Sequence, residues 1–344
     1  MLSIVKSKKE FIFENDRDFE SCHASTLVRM EDGNILAAWF GGSWESNPDT
    51  AIWAALRTDS GWQRPYVAAD RWCVPHWNPS LFCRKDGIVL LFYKEGKNTA
   101  EWISMVKYSD DGGKSFSSPR QLFLREGLDR GPVKNKCILL SDGRIAAPGS
   151  VEPAGVDIWD SFVDFSSDGG KTWEMGPFIP VRRVDTSSPR YRIIRHSAYD
   201  KKRCLGKGII QPAIWESQPG HIHALMRSSS SAIFRSDSTD GGETWNCAYN
   251  TGLPNNNSGI DLVKLDGGEL LLVSNPVGID WGARTPLTVS CSCDNGISWE
   301  EIFVLEDESG EYSYPAIVSY GREVFISYTW RRERIAYWHL ELSP

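Results

Sequence analysis

One short pattern recurs four times along the chain and constrains its fold more than any other feature. Each copy reads Ser-x-Asp-x-Gly-x-x-Trp (or Phe), and we call it an Asp box. The copies occupy residues 109–116, 166–173, 238–245 and 292–299, with a degenerate copy at 57–62. Alternating apolar stretches precede the boxes, which predicts that each is a turn between two strands. The Asp carboxylate can accept local backbone N–H bonds and the glycines permit positive φ, so we assign the boxes a structural role.

A second repeat consists of hairpins that open on a polar residue and turn at an Asp-Gly-like pair. Six such hairpins begin near residues 23, 78, 134, 211, 258 and 312. Each of the first five precedes an Asp box or its remnant, which gives four strands per unit. Radial repetition of four-stranded sheets predicts an all-β, six-bladed β-propeller that forms one domain over residues 1–344. The last unit has about three strands, so we expect the leading strand at 4–13 to complete it and close the ring.

Composition narrows the classes of partner. The net charge is −7 and basic runs are short, so neither nucleic acid nor an anionic membrane is an expected partner. The N-terminal residues lack an apolar signal region, so we expect a cytoplasmic protein, with a trimmed export signal left open. Forty aromatic residues (15 Trp, 11 Tyr and 14 Phe) suit sugar faces as well as core packing.

The eight cysteines form no metal-binding or redox spacing. We therefore predict reduced core thiols, with neither a metal nor an organic cofactor. Residues 180–208 show little periodicity and are interpreted as a surface loop, either a lid or a plain excursion. The run at 331–334, rich in arginine, is interpreted as a solvated outer strand.

Candidate site residues come from the strand openings, because the innermost strands of a propeller converge at one mouth of the central channel. The openings supply a ring of polar side chains: His23, Asn78, Lys134 with Lys136, Gln211, Ser258 with Asp261, and Tyr312. Arg227 ends a strand and Arg284 precedes one. Arginines placed in this way indicate bidentate recognition of a carboxylate or a phosphate.

These features together resemble the sialidase (neuraminidase) superfamily, in its branch of Asp-box repeat proteins. The resemblance rests on the boxes, the six units, Arg227 in Met-Arg-Ser, Arg284 before Pro-Leu-Thr-Val-Ser, and Tyr312-Ser313 at the last unit. It implies an enzyme in which Arg227 and Arg284 bind a substrate carboxylate and Tyr312 is the nucleophile. It also implies that Asp49 is the acid/base, with Glu45 as its rival.

The chain departs from the superfamily at two positions. His23 stands where sialidases place the first arginine, and Gln211 stands where they place the glutamate that activates the tyrosine. A glutamine cannot take a proton from a tyrosine, so hydrolysis would need another means of activation.

Three functions remain open. The first is exo-acting hydrolysis of a terminal acidic sugar, with Arg227 and Arg284 on the carboxylate, Asp49 or Glu45 as acid, Tyr312 at the anomeric centre and His23 as base. The second is β-elimination on a uronate, with His23 and Tyr312 as base and acid in either order and with Gln211 helping to neutralise the carboxylate. The third is sugar binding without catalysis. We rank hydrolysis narrowly first, and assign secondary contacts with an acidic glycan to Asn78, Lys134, Lys136 and Asp261.

Overall fold

The structure is a computed structural model, and it describes residues 2–123, 130–153, 155–184 and 203–343. Six antiparallel sheets dominate it, which confirms the predicted all-β six-bladed propeller. No helix in the described ranges is long and apolar enough to cross a membrane.

The first three blades follow one another along the chain. The strands of blade one are β2 (Ser21–Arg29), β3 (Ile35–Gly42) and β4 (Ala51–Thr58), with β5 (Gly61–Trp62) and β6 (Tyr66–Ala69) both paired to β4. Those of blade two are β7 (His76–Cys83), β8 (Val89–Glu95), β9 (Ile103–Ser109) and β10 (Arg120–Gln121). Those of blade three are β11 (Ile138–Leu139), β12 (Ile145–Val151), β13 (Asp160–Ser166) and β14 (Glu174–Met175). The innermost strand of blade three is thus only two residues long.

The last three blades repeat the arrangement. Blade four contains β17 (Ile209–Gln218), β18 (His221–Ser228), β19 (Ala232–Ser238) and β20 (Tyr249–Pro254). Blade five contains β21 (Asp261–Lys264), β22 (Leu270–Ser274), β23 (Leu287–Ser292) and β24 (Glu300–Glu306). Blade six contains β25 (Tyr312–Tyr320), β26 (Glu323–Trp330), β27 (Arg334–Ser343) and the leading strand β1 (Ser3–Phe11). The leading strand pairs with β27, as predicted, and so closes the ring.

The hydrophobic core is divided among the interfaces between neighbouring blades. A buried cluster fills each of the six interfaces, including that between blade six and blade one, where Trp39 packs near Phe325 and Tyr337. In the described ranges, every blade therefore packs both of its faces against apolar residues of its neighbours.

The Asp boxes form the turns after the third strand of blades two to five. In the box of blade three, the Asp168 carboxylate accepts bonds from the backbone N–H groups of Lys171 (3.0 Å) and Thr172 (2.9 Å). Gly170 adopts a φ of 89°, and a Cβ there would lie 2.8 Å from Leu90 of blade two. The box therefore fixes its own turn and also packs against the preceding blade.

Residues 182–184 and 203–205 form β15 (Arg182–Val184) and β16 (Arg203–Leu205), which pair in parallel. They flank most of the segment that we interpreted as a surface loop or lid. Residues 185–202 of that segment lie outside the described residues.

Candidate active site

A repeated irregularity shapes the channel mouth. The innermost strands of blades one, two, four and six each shift register near their opening. At these bulges, and in blade three, one residue takes a positive φ; these residues are Ala24, Asn78, Lys134, Gln211 and Tyr314. A bulge of this kind re-aims side chains that a regular strand would point elsewhere.

Because of the bulge in blade six, the side chain at the channel mouth is that of Tyr314 and not that of Tyr312. Tyr314 has a φ of 53°, and its hydroxyl accepts a bond from Arg227 Nη1 at 2.7 Å. The side chain of Tyr312 is fully buried among the residues between blades five and six, and its hydroxyl accepts a bond from Arg331 Nη2 at 3.1 Å. Tyr312, the predicted nucleophile, therefore lies away from the mouth. Side chains two residues apart share a face in a regular strand, but the bulge breaks this alternation between Tyr312 and Tyr314.

Tyr314 stands at the centre of a group that we call the mouth cluster: His23, Arg227, Arg284, Tyr314 and Arg332. The guanidinium carbons of Arg227 and Arg284 each lie 5.6 Å from the centroid of the Tyr314 ring. The His23 ring lies 4.2 Å from it, centroid to centroid. Two cations and an imidazole thus surround one phenol.

Arg332 belongs to this site and is not part of a solvated outer strand. It lies in the turn between β26 and β27, with a φ of 57°, and its guanidinium pairs with Glu45 and, at 3.0 Å, with Glu311. Glu311 also pairs with Arg284 at 2.6 Å. One carboxylate therefore holds two arginines of the mouth cluster side by side, a link that the sequence reasoning missed.

Arg227 differs from its two neighbours. Within the described ranges it forms no ion pair with a carboxylate, and its side chain is only 5% exposed. Its Nε has no hydrogen-bond partner there, nor have His23 Nδ1 and Gln211 Oε1. Arg227 and His23 both lie against the Tyr314 ring, and buried polar atoms without partners are costly, so this pair favours a ligand site.

The charge around His23 keeps its imidazole neutral. Burial, reinforced by the three arginines of the cluster and by Lys134, holds the pKa of His23 well below its usual range. A neutral imidazole can accept a proton at ordinary pH, although its low pKa makes it a weak base.

The acidic candidates differ in their surroundings. Asp49 is exposed and closes its own loop, accepting bonds from the backbone N–H and the hydroxyl of Ser43, both at 2.9 Å. Glu152, the residue that follows β12, was missed by the sequence reasoning. Burial raises its pKa, against the opposing charges of Arg227 and Lys207. A half-buried carboxyl group near Arg227 is a candidate proton donor.

Three of the four residues predicted as secondary contacts bond to residues of other blades. Lys136 pairs with Asp261 at 2.8 Å, and Asp261 also accepts a bond from the backbone N–H of Ile317 at 2.9 Å. Lys134 Nζ donates to the carbonyls of Ile260 and Pro315, each at 2.5 Å. These three side chains therefore join blades three, five and six, while Asn78 is buried at its bulge in blade two.

A local signal could have found Tyr314. Asn78, Gln211 and Tyr314 each precede a proline at the corresponding bulge of their blades. Glu311 and Arg332 carry no such signal, because only the ring geometry brings their turns together.

Sequence comparison then decides the family. The family model described as BNR repeat-like domain matches residues 33–326, which is most of the chain. The chain belongs to the BNR repeat-like domain family. A comparison with curated proteins gives no match.

Solved structures show which proteins share this BNR repeat-like fold. A Dyadobacter fermentans protein of unknown function has a TM-score of 0.76 at 17% identity, with 99% of each chain covered. A Trypanosoma rangeli sialidase bound to the inhibitor DANA has a TM-score of 0.72 at 14% identity, covering 97% of this chain and 59% of the sialidase. The K499G mutant of NanB sialidase from Streptococcus pneumoniae has a TM-score of 0.72 at 13% identity, with 96% and 70% covered. The predicted resemblance to sialidases is thus confirmed for the fold, while the family shown is that of BNR repeat-like domains.

No group of three or more His, Cys, Asp or Glu side chains in the described part of the chain could hold a metal ion. All eight cysteines are free thiols, and Cys22, Cys137, Cys204 and Cys291 are buried. The chemistry available at the mouth of this BNR repeat-like propeller is therefore that of guanidinium groups, a phenol, a neutral imidazole and carboxyl groups.

Proposed function

We propose that the protein hydrolyses the glycosidic bond of a terminal sugar that bears a carboxylate. One observation carries the proposal: Arg227, buried and without a carboxylate partner among the described residues, donates to the hydroxyl of Tyr314. A buried guanidinium with an unused Nε–H offers a charged donor to an incoming carboxylate. Sialidases among the structural neighbours support a glycan of this kind as the substrate.

The nucleophile in this proposal is Tyr314. Its phenol oxygen attacks the anomeric carbon, and the bond from Arg227 stabilises the phenolate as it forms. His23, whose ring contacts that of Tyr314, takes the phenolic proton in place of the absent glutamate. Arg284 and Arg332, already held by Glu311, help Arg227 to bind the carboxylate.

The proton donor to the leaving oxygen is a carboxyl group at the same mouth. Glu152 fits this role because burial raises its pKa, which favours the protonated form that a proton donor needs. Asp49 and Glu45 remain alternatives. The carboxylate of Asp49 is engaged by Ser43, and that of Glu45 by Arg332.

Elimination on a uronate is the second candidate. It is favoured by Gln211, whose amide cannot activate a nucleophile but can donate to a carboxylate, and by a His23 imidazole that is neutral and lacks a partner at Nδ1 among the described residues. In this reaction His23 removes the proton at C5, Tyr314 protonates the leaving oxygen, and the arginines stabilise the carboxylate as charge builds up on it.

A panel of sialosides and uronate-ended oligosaccharides tests both reactions. Reducing sugar released without ultraviolet absorbance supports hydrolysis, whereas both signals rising together identify elimination. We expect Arg227→Gln to lower kcat/KM about 100-fold or more, while Arg64→Gln, at an exposed arginine, leaves it unchanged. Binding measured by calorimetry with no turnover across the panel would reject both reactions in favour of a sugar-binding protein.

A further inference from the structure

A second group of reactive side chains lies at the other end of blade four. Ser217 Oγ is 2.8 Å from His223 Nε2, and His223 Nδ1 is 2.6 Å from Asp237 Oδ1. The chain runs from His223 to Arg227 along β18, so this group is about 13 Å from the mouth cluster at 3.3 Å per residue. It is a separate site.

The order of contacts is that of a nucleophile, a base and an orienting carboxylate. Arg235 Nη2 also lies 3.1 Å from His223 Nδ1. In the tautomer whose Nδ1–H donates to the Asp237 carboxylate, Nε2 is the acceptor for the serine hydroxyl. We propose that Ser217, His223 and Asp237 form a second catalytic site, which hydrolyses small carboxylic esters of polar alcohols.

The geometry of the sheet holds the imidazole of His223, the proposed base, in place. His223 and Asp237 are direct cross-strand partners in β18 and β19, and the His223 ring stacks on Trp215 of β17 with centroids 4.8 Å apart. Asp237 also accepts bonds from Arg235 Nε at 2.7 Å and from the Tyr249 hydroxyl at 3.1 Å. Burial alone would raise the pKa of Asp237, but the bonds from His223 and Arg235 outweigh it and hold the pKa low. The carboxylate therefore stays charged, and its hydrogen bonds hold it beside the imidazole.

A bulge places the nucleophile. The pairing of β17 with β18 shifts register between Glu216 and Gln218, so Ser217 falls outside the regular alternation. Bulges are frequent next to active sites because they re-aim a side chain. Here the half-buried hydroxyl of Ser217 is turned to the imidazole and to the cleft beside it.

The fourth Asp box supplies a donor for the developing oxyanion. In the other three boxes the residue after the Asp is glycine with a φ of 73° to 75°, whereas here it is Asn295 with a φ of 58°. The indole N–H of Trp215 donates to Asn295 Oδ1 at 2.8 Å, so the Nδ2 group is the end that faces His223 Nε2, at 3.3 Å. A fixed side-chain amide beside a nucleophilic serine can donate to a tetrahedral oxyanion.

The group opens into a cleft of about 590 Å³. Its lining includes Ser217, His223, Asn295, Lys264, Glu269 and His221. These polar side chains suit an alcohol portion with several hydroxyl groups, which is why we assign polar esters to the cleft.

The reaction balances with water as the only co-reactant. Ser217 Oγ attacks the acyl carbon while His223 Nε2 takes its proton, and the same proton then passes to the alcohol oxygen as the ester C–O bond breaks. Water attacks the acyl-serine, His223 takes a proton from that water, and the proton returns to Ser217 as the carboxylic acid leaves.

A fluorophosphonate probe and 4-nitrophenyl acetate test the proposal on the full chain. We expect the probe to label Ser217, identified by mass spectrometry, and not Ser141, whose exposed hydroxyl donates to Glu216. Ester hydrolysis should fall about 100-fold or more in Ser217→Ala and in His223→Gln, and should be unchanged in Ser141→Ala.

Asn295→Gly is the sharpest variant, because it restores the Gly-Gly sequence of the other three boxes and so should fold. We expect it to lower kcat for the ester about 100-fold with little change in Tm. Labelling of Ser217 no greater than that of Ser141 in the folded wild-type protein would overturn the proposal, as would full ester hydrolysis in Ser217→Ala. Labelling of the wild type decides the matter even where a variant fails to fold.

Discussion

Two tyrosines separated by one residue have opposite roles in blade six. Tyr314 faces the mouth with Arg227 on its hydroxyl, while Tyr312 is buried against Arg331. The difference comes from the bulge at Tyr314, whose positive φ breaks the alternation of the strand.

Removing one hydroxyl at a time separates these roles. We expect Tyr314→Phe to abolish glycoside turnover and, because its hydroxyl also accepts a bond from Arg227, to lower the free energy of unfolding by about 1 kcal/mol. Tyr312→Phe should retain turnover and lower the free energy of unfolding by about 1 kcal/mol, the usual worth of one hydrogen bond. Steady-state kinetics and urea denaturation of both variants provide the test, and equal turnover in the two would contradict the assignment.

The buried side chain of Lys134 makes the free energy of unfolding depend on pH. Burial lowers its pKa from 10.5 to about 7, although its Nζ still donates to two carbonyls, and a neutral amine has enough N–H groups for both. The unfolded chain binds this proton between about pH 7 and pH 10.5, whereas the folded chain has lost it. The free energy of unfolding should therefore rise with pH across this window, by at most about 1.4 kcal/mol per pH unit.

Comparing Lys134→Met with the wild type isolates this contribution, since other groups also titrate in the window. We expect the variant to show a shallower rise in the free energy of unfolding between pH 7 and pH 10. Lys264→Met is the matched control, because the exposed Lys264 also donates to two carbonyls. Parallel curves for wild type and Lys134→Met would show that this amine keeps its proton on folding.

Each Asp box closes a turn and packs against the preceding blade. In the box of blade three, burial by itself would raise the pKa of Asp168, but bonds from Thr172 and Ser166 outweigh it and lower the pKa to about 2. A carboxylate whose pKa is lowered on folding contributes stability above its unfolded pKa, and this contribution disappears as pH falls from about 4 to about 2.

Replacing that carboxylate measures what a box contributes. We expect Asp168→Ala to lower the free energy of unfolding by about 1 kcal/mol at pH 7, as for the loss of a capping side chain, and to flatten its decline between pH 4 and pH 2. Ser167→Ala, at the exposed neighbouring position, should change neither. Urea denaturation at a series of pH values gives both quantities, and an unaltered acid limb in Asp168→Ala would be evidence against this role.

Closure of the propeller ring depends on the leading strand, β1. β1 pairs with β27 from Ser3 opposite Ser343 to Phe11 opposite Ala336, and Glu10 reaches Arg57 of blade one at 2.9 Å. The strand thus covers the outer edge of blade six and ties it to its neighbour, which protects an edge that could otherwise pair with another chain.

Deleting residues 1–11 should lower Tm by several degrees and promote self-association, because the edge of β27 becomes free. A synthetic peptide of residues 1–13 should restore part of the lost Tm when added to the truncated protein. Differential scanning calorimetry and light scattering test this, with Lys6→Ala, which removes only an exposed ion pair, as the control. A truncated chain with the wild-type Tm would show that closure does not need β1.

Turn chemistry and two-residue periodicity are local properties, so the amino-acid sequence alone was enough to establish the Asp boxes, the six units and the closing strand. It also singled out His23, Arg227 and Arg284, which lie around the Tyr314 ring. The bulge that exchanges Tyr312 for Tyr314 could not be foreseen from alternation, because a single positive φ overrides it. The convergence of Glu311 with Arg332, and of Ser217 with His223 and Asn295, depends on strand ends and turns that are distant in the chain. Only the packing of the blades brings such groups within hydrogen-bond distance.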